Sequence, residues 1–112
     1  MKYVTAVIRP HKLDEVREAL LEVGISGLSV TEIRGFGRQK GHKEIYRGAE
    51  YKVEFVAKIK IEVAIKPDLL DRVLEVLEKA AKTGAVGDGK IFVWDLEEVL
   101  RIRTGERNSD AL

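Results

Sequence analysis

Three segments of the chain combine glycine with positive charge, which are the residue types that bind phosphate and carboxylate groups. The segment TGAVGDGK (83–90) holds three glycines and ends in Lys90. Glycines let successive backbone N–H groups converge on an anion, and a lysine adds a point charge. The spacing from Gly84 to Lys90 fits G-x-x-x-x-G-K, but Ile91 stands where a P-loop needs Ser or Thr, and the segment leads from a helix into a strand. It therefore predicts an anion-binding turn or an ordinary glycine-rich turn, and not a P-loop.

The second segment is GFGRQKGHKEIYRGAEY (35–51), which follows neither the helix nor the strand period. Residues 34–52 carry six basic and two acidic side chains, although the net charge of the whole chain is only +1. A long connection without periodicity is uncommon in a small domain unless it is functional or disordered. The segment is either a ligand-binding loop or a solvated basic loop.

The third segment is RIRTGER (101–107), where alternation places Arg101 and Arg103 on one face of an extended chain. Two guanidinium groups side by side suit phosphate oxygens, although such a segment can also be a charged surface tail. The only histidines are His11 and His42, and cysteine is absent. No Ser–His–Asp or Cys–His arrangement is available, so the sequence does not predict an enzyme.

Length and composition favour one soluble domain over residues 1–112, with 45% hydrophobic and 35% charged residues. No apolar run is long enough to span a bilayer, and Met1 leads directly into strand-like sequence without a signal-peptide core. The absence of cysteine suits the cytoplasm. Gln39 is the only glutamine and Asn108 the only asparagine. Few thermolabile residues among many charges predict a thermophilic source.

An internal repeat indicates the fold. VTAVIRP (4–10) and the helical pattern after it return 57 residues later as IEVAIKP (61–67) and a second helical pattern. Each half reads strand, proline-led turn, helix, and a further strand follows at about 28–36 and 90–96. This order predicts a ferredoxin-like α+β fold, in which a four-stranded antiparallel sheet carries both helices on one face.

Details of the helix ends and of the third strand can also be predicted. Gly24 suits the C-terminal end of the first helix, Asp68 could cap the start of the second, and Gly84 could end it. Apolar residues occupy every odd position from Tyr51 to Ile65, which predicts one long half-buried strand. A strand of that length would extend beyond a small sheet, and oligomerisation is one way to cover it.

Together these segments resemble the PII family of nitrogen-regulatory signal proteins. The motifs that carry the resemblance are YRGAEY (46–51) and TGAVGDGKIFV (83–93), and GFGRQKGH (35–42) and RIRTGE (101–106) support it. The resemblance covers the whole chain. It implies a homotrimer of ferredoxin-like subunits that binds ATP or ADP competitively in three inter-subunit clefts, and 2-oxoglutarate when Mg-ATP is present.

The resemblance also implies the residues of the nucleotide site. The glycine-rich loop would contact the phosphates through Gly87, Asp88, Gly89 and Lys90. The base of the long loop would border the nucleotide through Gly35, Gly37 and Arg38, and the adjacent subunit would contribute Arg101 and Arg103. The adenine side would be lined by Ser29 and Ala64, where the family often has Thr and Val.

For 2-oxoglutarate, the resemblance implies an ion pair with Lys58, assisted by backbone amides near Lys40 and Gly41. Gln39 would ligate Mg²⁺ and so couple the ligand to the shape of a flexible effector loop at about 37–54. In parts of the family Tyr51 is uridylylated or adenylylated, so Tyr51 is a candidate modification site.

The implied function is non-enzymatic signalling of nitrogen, carbon and energy status. The implied targets are an ammonium transporter, glutamine synthetase adenylyltransferase, uridylyltransferase or a nitrogen sensor kinase, without nucleic acid and with the membrane reached only through the transporter. One alternative is an acylphosphatase-like enzyme, which Asn108 in the C-terminal tail fits poorly. Another is an RNA-binding module, for which Tyr3 and Phe92 match poorly the pattern of aromatics on two central strands.

Overall fold

A computed structural model of the chain describes residues 1–35 and 55–112. The strands are β1 (Lys2–Ile8), β2 (Ser29–Gly35), β3 (Val56–Ile65) and β4 (Lys90–Asp95), and the helices are α1 (Leu13–Glu22) and α2 (Leu70–Ala81). Short 3₁₀ turns occupy Pro10–Lys12, Pro67–Leu69 and Asn108–Ala111. The order of elements matches the prediction, whereas the predicted effector loop at about 37–54 lies outside the described residues.

The four strands form one antiparallel sheet in the order β2-β3-β1-β4. Alternate residues of β1 and β3 point to the same side and pack with both helices into a single core. Its most buried members are Ile8 and Val4 of β1, Ile61 and Ile65 of β3, Val16 and Leu20 of α1, and Val73 and Leu77 of α2. The predicted ferredoxin-like α+β fold is confirmed.

The other face of the sheet carries no helix and presents aromatic side chains. Tyr3 of β1 pairs with Trp94 of β4, with ring centroids 5.4 Å apart. Trp94 is 49% exposed and Phe92 is 47% exposed. On β3 this face carries Lys58, Lys60, Glu62 and Ala64, so aromatics do not occupy both central strands as an RNA-binding sheet requires. We call this surface the open face.

Polar contacts on the open face are uneven. The Tyr3 hydroxyl donates to a Glu62 carboxylate oxygen at 2.9 Å. Burial raises the pKa of Tyr3, and the hydrogen bond to Glu62 raises it further. Thr5 lies opposite Glu62 and is 5% exposed. Among the residues that the structure describes, its hydroxyl has no hydrogen-bond partner.

The structure confirms the predicted end of α1. Gly24 has φ of +89°, and its N–H bonds to the Leu21 carbonyl at 3.0 Å while the N–H of Ile25 bonds to the Leu20 carbonyl at 3.0 Å. This is the Schellman arrangement, which needs a left-handed residue and therefore favours glycine.

The predicted ends of α2 are wrong. Asp68 lies inside the turn that Pro67 begins, and the residue before the helix, Leu69, makes no side-chain cap. Proline fixes φ for that turn, which supplies its own backbone bond in place of a cap. At the other end α2 stops at Ala81, ahead of Gly84, because Lys82 is already extended.

Strand bounds also differ slightly from those predicted. β3 begins at Val56, and Phe55 is not part of the strand, so its described portion is shorter than the run that begins at Tyr51. Residues 51–54 lie outside the described ranges. Within residues 1–35 and 55–112, no helix has both the length and the apolar character needed to cross a membrane.

Candidate functional site

One end of the sheet gathers many of the predicted site residues. There β1 and β2 end, β3 and β4 begin, and the register places Lys58 opposite Ile33 and Lys90 opposite Val7. Gly35 lies so close that a side chain on it would meet the Cγ of Lys58 at 3.3 Å. Residues 83–90, which we call the glycine loop, cross this end of the sheet between α2 and β4.

Asp88 holds the glycine loop from within. Its carboxylate accepts the N–H of Thr83 at 2.9 Å, the N–H of Gly84 at 2.8 Å and the Thr83 hydroxyl. The Nε of Arg9 donates to the same carboxylate at 2.9 Å. The Thr83 hydroxyl, then Arg9 and the two N–H groups hold the pKa of Asp88 well below its usual range. The side chain is thus committed to the loop, which leaves its backbone as the part that could meet an anion.

The backbone at position 89 approaches the Val7 carbonyl so closely that only glycine fits there. Gly89 has φ of +95°, and a Cβ built on it would lie 2.8 Å from the carbonyl carbon of Val7 and closer still to the oxygen. No side chain fits there without moving β1. The glycine therefore allows the loop to lie directly against the sheet end before β4 begins.

Lys58 is 8% exposed, which is unusual for a lysine. Its Nζ donates to the carbonyl oxygen of Gly87. Burial lowers the pKa of Lys58, the charge of Arg9 lowers it further, and the Asp88 carboxylate acts in the opposite direction. An ammonium has three donors, and among the described residues only the Gly87 carbonyl accepts one of them, so the others could serve a carboxylate ligand.

Arg9 belongs to this cluster although sequence reasoning missed it. Besides its bond to Asp88, its Nη2 donates to the Val86 carbonyl at 2.7 Å. The signal was its place between the last residue of β1 and Pro10, where a long side chain can reach across the sheet end. Its counterpart in the repeat, Lys66, is exposed.

Two clefts flank the cluster. One, of about 400 Å³, is lined by α2 residues such as Leu74 and Leu77 and by residues 88–90. The other, of about 460 Å³, is lined by Pro10, Arg34, Lys58 and neighbouring strand residues. Both volumes fall in the range of small-ligand sites.

Other predicted residues lie elsewhere on the single chain. Ser29 pairs with Glu62, and Ala64 pairs with Tyr3. Ala64 is six residues along β3 from Lys58, which corresponds to about 20 Å. One chain alone therefore does not bring the adenine-side residues to the glycine loop.

The two C-terminal arginines lie in a segment that folds on itself. Arg101 pairs with Glu106 at 3.1 Å and also donates to the Ala111 carbonyl at 3.4 Å, while Arg103 is exposed. The remaining candidates lie outside the described residues. They are Gly37, Arg38, Gln39, Lys40, Gly41 and Tyr51.

Comparison with known proteins agrees over the whole chain. Residues 1–106 match the family described as Nitrogen regulatory protein P-II. The chain is 59% identical over 112 residues to Nitrogen regulatory protein P-II of Rhodospirillum rubrum and 62% identical to Nitrogen regulatory protein GlnK of Escherichia coli K12, with 100% of each chain covered.

A solved structure, that of Arabidopsis thaliana PII bound to citrate, superposes with a TM-score of 0.82 at 39% identity. The superposition covers 99% of this chain and 91% of that one. The repeat, the sheet order and these relatives agree, and the chain belongs to the PII family of nitrogen regulatory proteins.

Proposed function

We propose that this protein is a non-enzymatic sensor of nitrogen, carbon and energy status that acts in the cytoplasm. It binds ATP or ADP, and binds 2-oxoglutarate when Mg-ATP is present. The observation that carries the proposal is Lys58, a buried lysine beside a glycine-rich loop whose ammonium makes one hydrogen bond among the described residues, to the Gly87 carbonyl. Burying a charge is costly, so its retention at a cleft favours a ligand of opposite charge.

The nucleotide phosphates would be held by Lys90 and by backbone N–H groups of Gly87, Asp88 and Gly89. Converging amides suit phosphate oxygens, and the lysine adds charge without demanding a fixed geometry. At the base of the long loop, Gly35, Gly37 and Arg38 would border the nucleotide.

A homotrimer would complete this site. Arg101 and Arg103 of one subunit would reach the phosphates bound by the next, and Ser29 and Ala64 would line the adenine. The half-exposed Trp94 and Phe92 on the open face support burial against other subunits, because exposed aromatics favour interfaces.

For 2-oxoglutarate, Lys58 would pair with a carboxylate, assisted by backbone amides near Lys40 and Gly41. The described residues contain no group of three His, Cys, Asp or Glu side chains placed to hold a metal. Ligation by phosphate oxygens and by the neutral side-chain oxygen of Gln39 fits this composition, since Mg²⁺ prefers oxygen ligands and often shares them with phosphates. Bound Mg²⁺ would offset repulsion between the triphosphate and the dicarboxylate. Citrate in the Arabidopsis relative lends support to a carboxylate-binding role.

The long loop would then report the ligand state to protein targets. Because Gln39 lies in that loop, ligand binding would select among loop shapes, as a ligand switch requires. Candidate targets are an ammonium transporter, glutamine synthetase adenylyltransferase, uridylyltransferase and a nitrogen sensor kinase. Tyr51 would be the site of uridylylation or adenylylation where a modifying enzyme exists.

Calorimetric titration tests the proposal. We expect 2-oxoglutarate to bind with Mg-ATP present and hardly at all with Mg-ADP. Replacing Lys58 with Met should abolish this binding, whereas the same change at Lys60, two residues along the same face, should leave it intact. Gln39→Ala should remove most of the ATP dependence and spare ADP binding. Equal heats with Mg-ATP and Mg-ADP would refute the sensor mechanism.

A further inference from the structure

The glycine loop is gripped by two cations at successive carbonyl groups. Nη2 of Arg9 donates to the Val86 carbonyl at 2.7 Å, and the Nζ of Lys58 donates to the next carbonyl, that of Gly87. Arg9 also donates from Nε to Asp88 at 2.9 Å, so one planar guanidinium joins a carbonyl and a carboxylate of the same loop. The side chains of Arg9 and Asp88 are each only 23% exposed.

This grip determines which way the loop amides face. In a trans peptide the C=O and the following N–H point in opposite directions. Holding the carbonyls of Val86 and Gly87 toward the two cations therefore turns the N–H groups of Gly87 and Asp88 away from them. Within the part of the chain that the structure describes, neither N–H group makes a hydrogen bond of standard geometry, although the chain turns at Val86 and Gly87.

We propose that Arg9 is a positioning residue for the anion site, acting through the carbonyl of Val86 and the carboxylate of Asp88 to aim the loop amides at a phosphate. The anion itself rests on the function proposed above. The proposed role of Arg9 is geometric, and its charge is partly offset by the ion pair with Asp88. What matters is the fork of two donors at fixed spacing, which lysine lacks.

The repeat supplies a matched control. Lys66 occupies the position equivalent to Arg9, precedes Pro67 as Arg9 precedes Pro10, and is exposed. Neutralising Lys66 changes the net charge by the same amount as neutralising Arg9, without touching the loop. Lys66→Gln therefore separates a loss of positioning from a loss of charge.

Affinity for ADP, measured by calorimetry on the intact protein, tests the proposal. We expect Arg9→Gln and Arg9→Lys each to weaken ADP binding by roughly tenfold, the equivalent of one lost charge-assisted hydrogen bond. Lys66→Gln should stay within about twofold of the parent, since it breaks no such bond. Hydrogen exchange of the unliganded protein should be faster over residues 83–90 in both Arg9 variants.

Wild-type ADP affinity in Arg9→Lys would overturn the proposal, because charge alone would then suffice. It would also be overturned if Arg9→Gln lowered the unfolding midpoint but bound ADP normally, which is the signature of a purely structural role. If Arg9→Gln does not fold, Asp88→Asn removes the same Arg9–Asp88 ion pair from the side of the loop. Unchanged ADP affinity in Asp88→Asn would also refute the proposal.

Failure of the proposed function gives a different result. In that case the parent protein itself would not bind ADP, whereas the exchange comparison would still report on the loop. Unchanged exchange over residues 83–90 in the Arg9 variants would show that Arg9 does not hold the loop, whatever the ligand.

Discussion

The two halves of the chain share one plan but connect helix to strand by different chemistry. After α1, residues 23–28 close with the Schellman bonds of Gly24 and bury Ile25, which is 8% exposed. After α2, residues 82–89 run past an extended Lys82 and are held by the carboxylate of Asp88. The first connection is anchored by the buried side chain of Ile25, whereas the carboxylate of Asp88 gathers N–H groups around it in the second. Equivalent connections of the repeat are thus held in different ways, one by apolar packing and the other by a carboxylate at the candidate site.

The largest expected effect comes from exchanging glycine for alanine in the two connections. Gly89→Ala should cost about 4 kcal/mol of unfolding free energy, because a Cβ would collide with the Val7 carbonyl and φ is positive. Gly24→Ala, at a similar φ but with nothing within 4 Å, should cost only about 1–2 kcal/mol. Urea denaturation of both variants measures the difference. Equal costs would mean that close approach does not distinguish the two glycines.

A smaller effect should follow from removing the polar anchor, and it should depend on pH. The pKa of Asp88 is lowered in the folded protein, so its ionised carboxylate stabilises the fold at pH values above 3.8, the ordinary pKa of an aspartate. That contribution is lost as pH falls below this value toward the lowered folded pKa. Asp88→Asn should therefore be less stable than the parent at pH 7, and the gap should narrow below about pH 4.

The control for Asp88→Asn is Asp68→Asn. Asp68 is an exposed carboxylate in a turn with no side-chain cap, so its removal should leave the pH profile of unfolding nearly unchanged. A constant gap between parent and Asp88→Asn from pH 7 to pH 2 would contradict the role of the carboxylate in the loop.

The smallest effect should come from a pair of positions that the repeat makes equivalent. Glu62 accepts from Tyr3 and pairs with Lys60 at 3.6 Å, whereas the hydroxyl of its counterpart Thr5 lacks a partner among the described residues. Thr5→Val should be neutral or stabilising by up to about 1 kcal/mol, because an unpaired buried hydroxyl costs energy. Thermal unfolding measures it. A loss above about 1 kcal/mol would indicate a partner that the single chain does not supply.

Much of the fold could be predicted because its signals are local or repeated. The echo between 4–10 and 61–67 predicted the order of elements, and the alternation in β3 predicted which side chains form the core. The end of α1 could be predicted because the Schellman bonds at Gly24 join residues that are close in sequence. The end of α2 could not be predicted in this way, because Lys82 is already extended and the residues after it are held by the distant Asp88 carboxylate, which accepts the N–H groups of Thr83 and Gly84.

The residue types of the candidate site could be predicted from the sequence, but not which side chains hold the glycine loop and which groups remain for a ligand. Arg9 reaches the loop only because the register of β1 and β4 brings residues 83–90 over the end of β1, which is a relation between positions nearly eighty apart. That the Asp88 carboxylate binds Arg9 and the loop itself could not be predicted for the same reason. Sequence patterns of short range carry no information about such pairings.

Trp94 gives the open face an optical consequence. It is the only tryptophan of the chain, it is half exposed, and Tyr3 lies beside it at 5.4 Å. Emission from an indole shifts to shorter wavelength when water leaves its surroundings, and a tyrosine at this distance transfers excitation to it. The chain therefore contains a built-in fluorophore pair whose spectrum reports, without any label, whether the sheet is wet or covered.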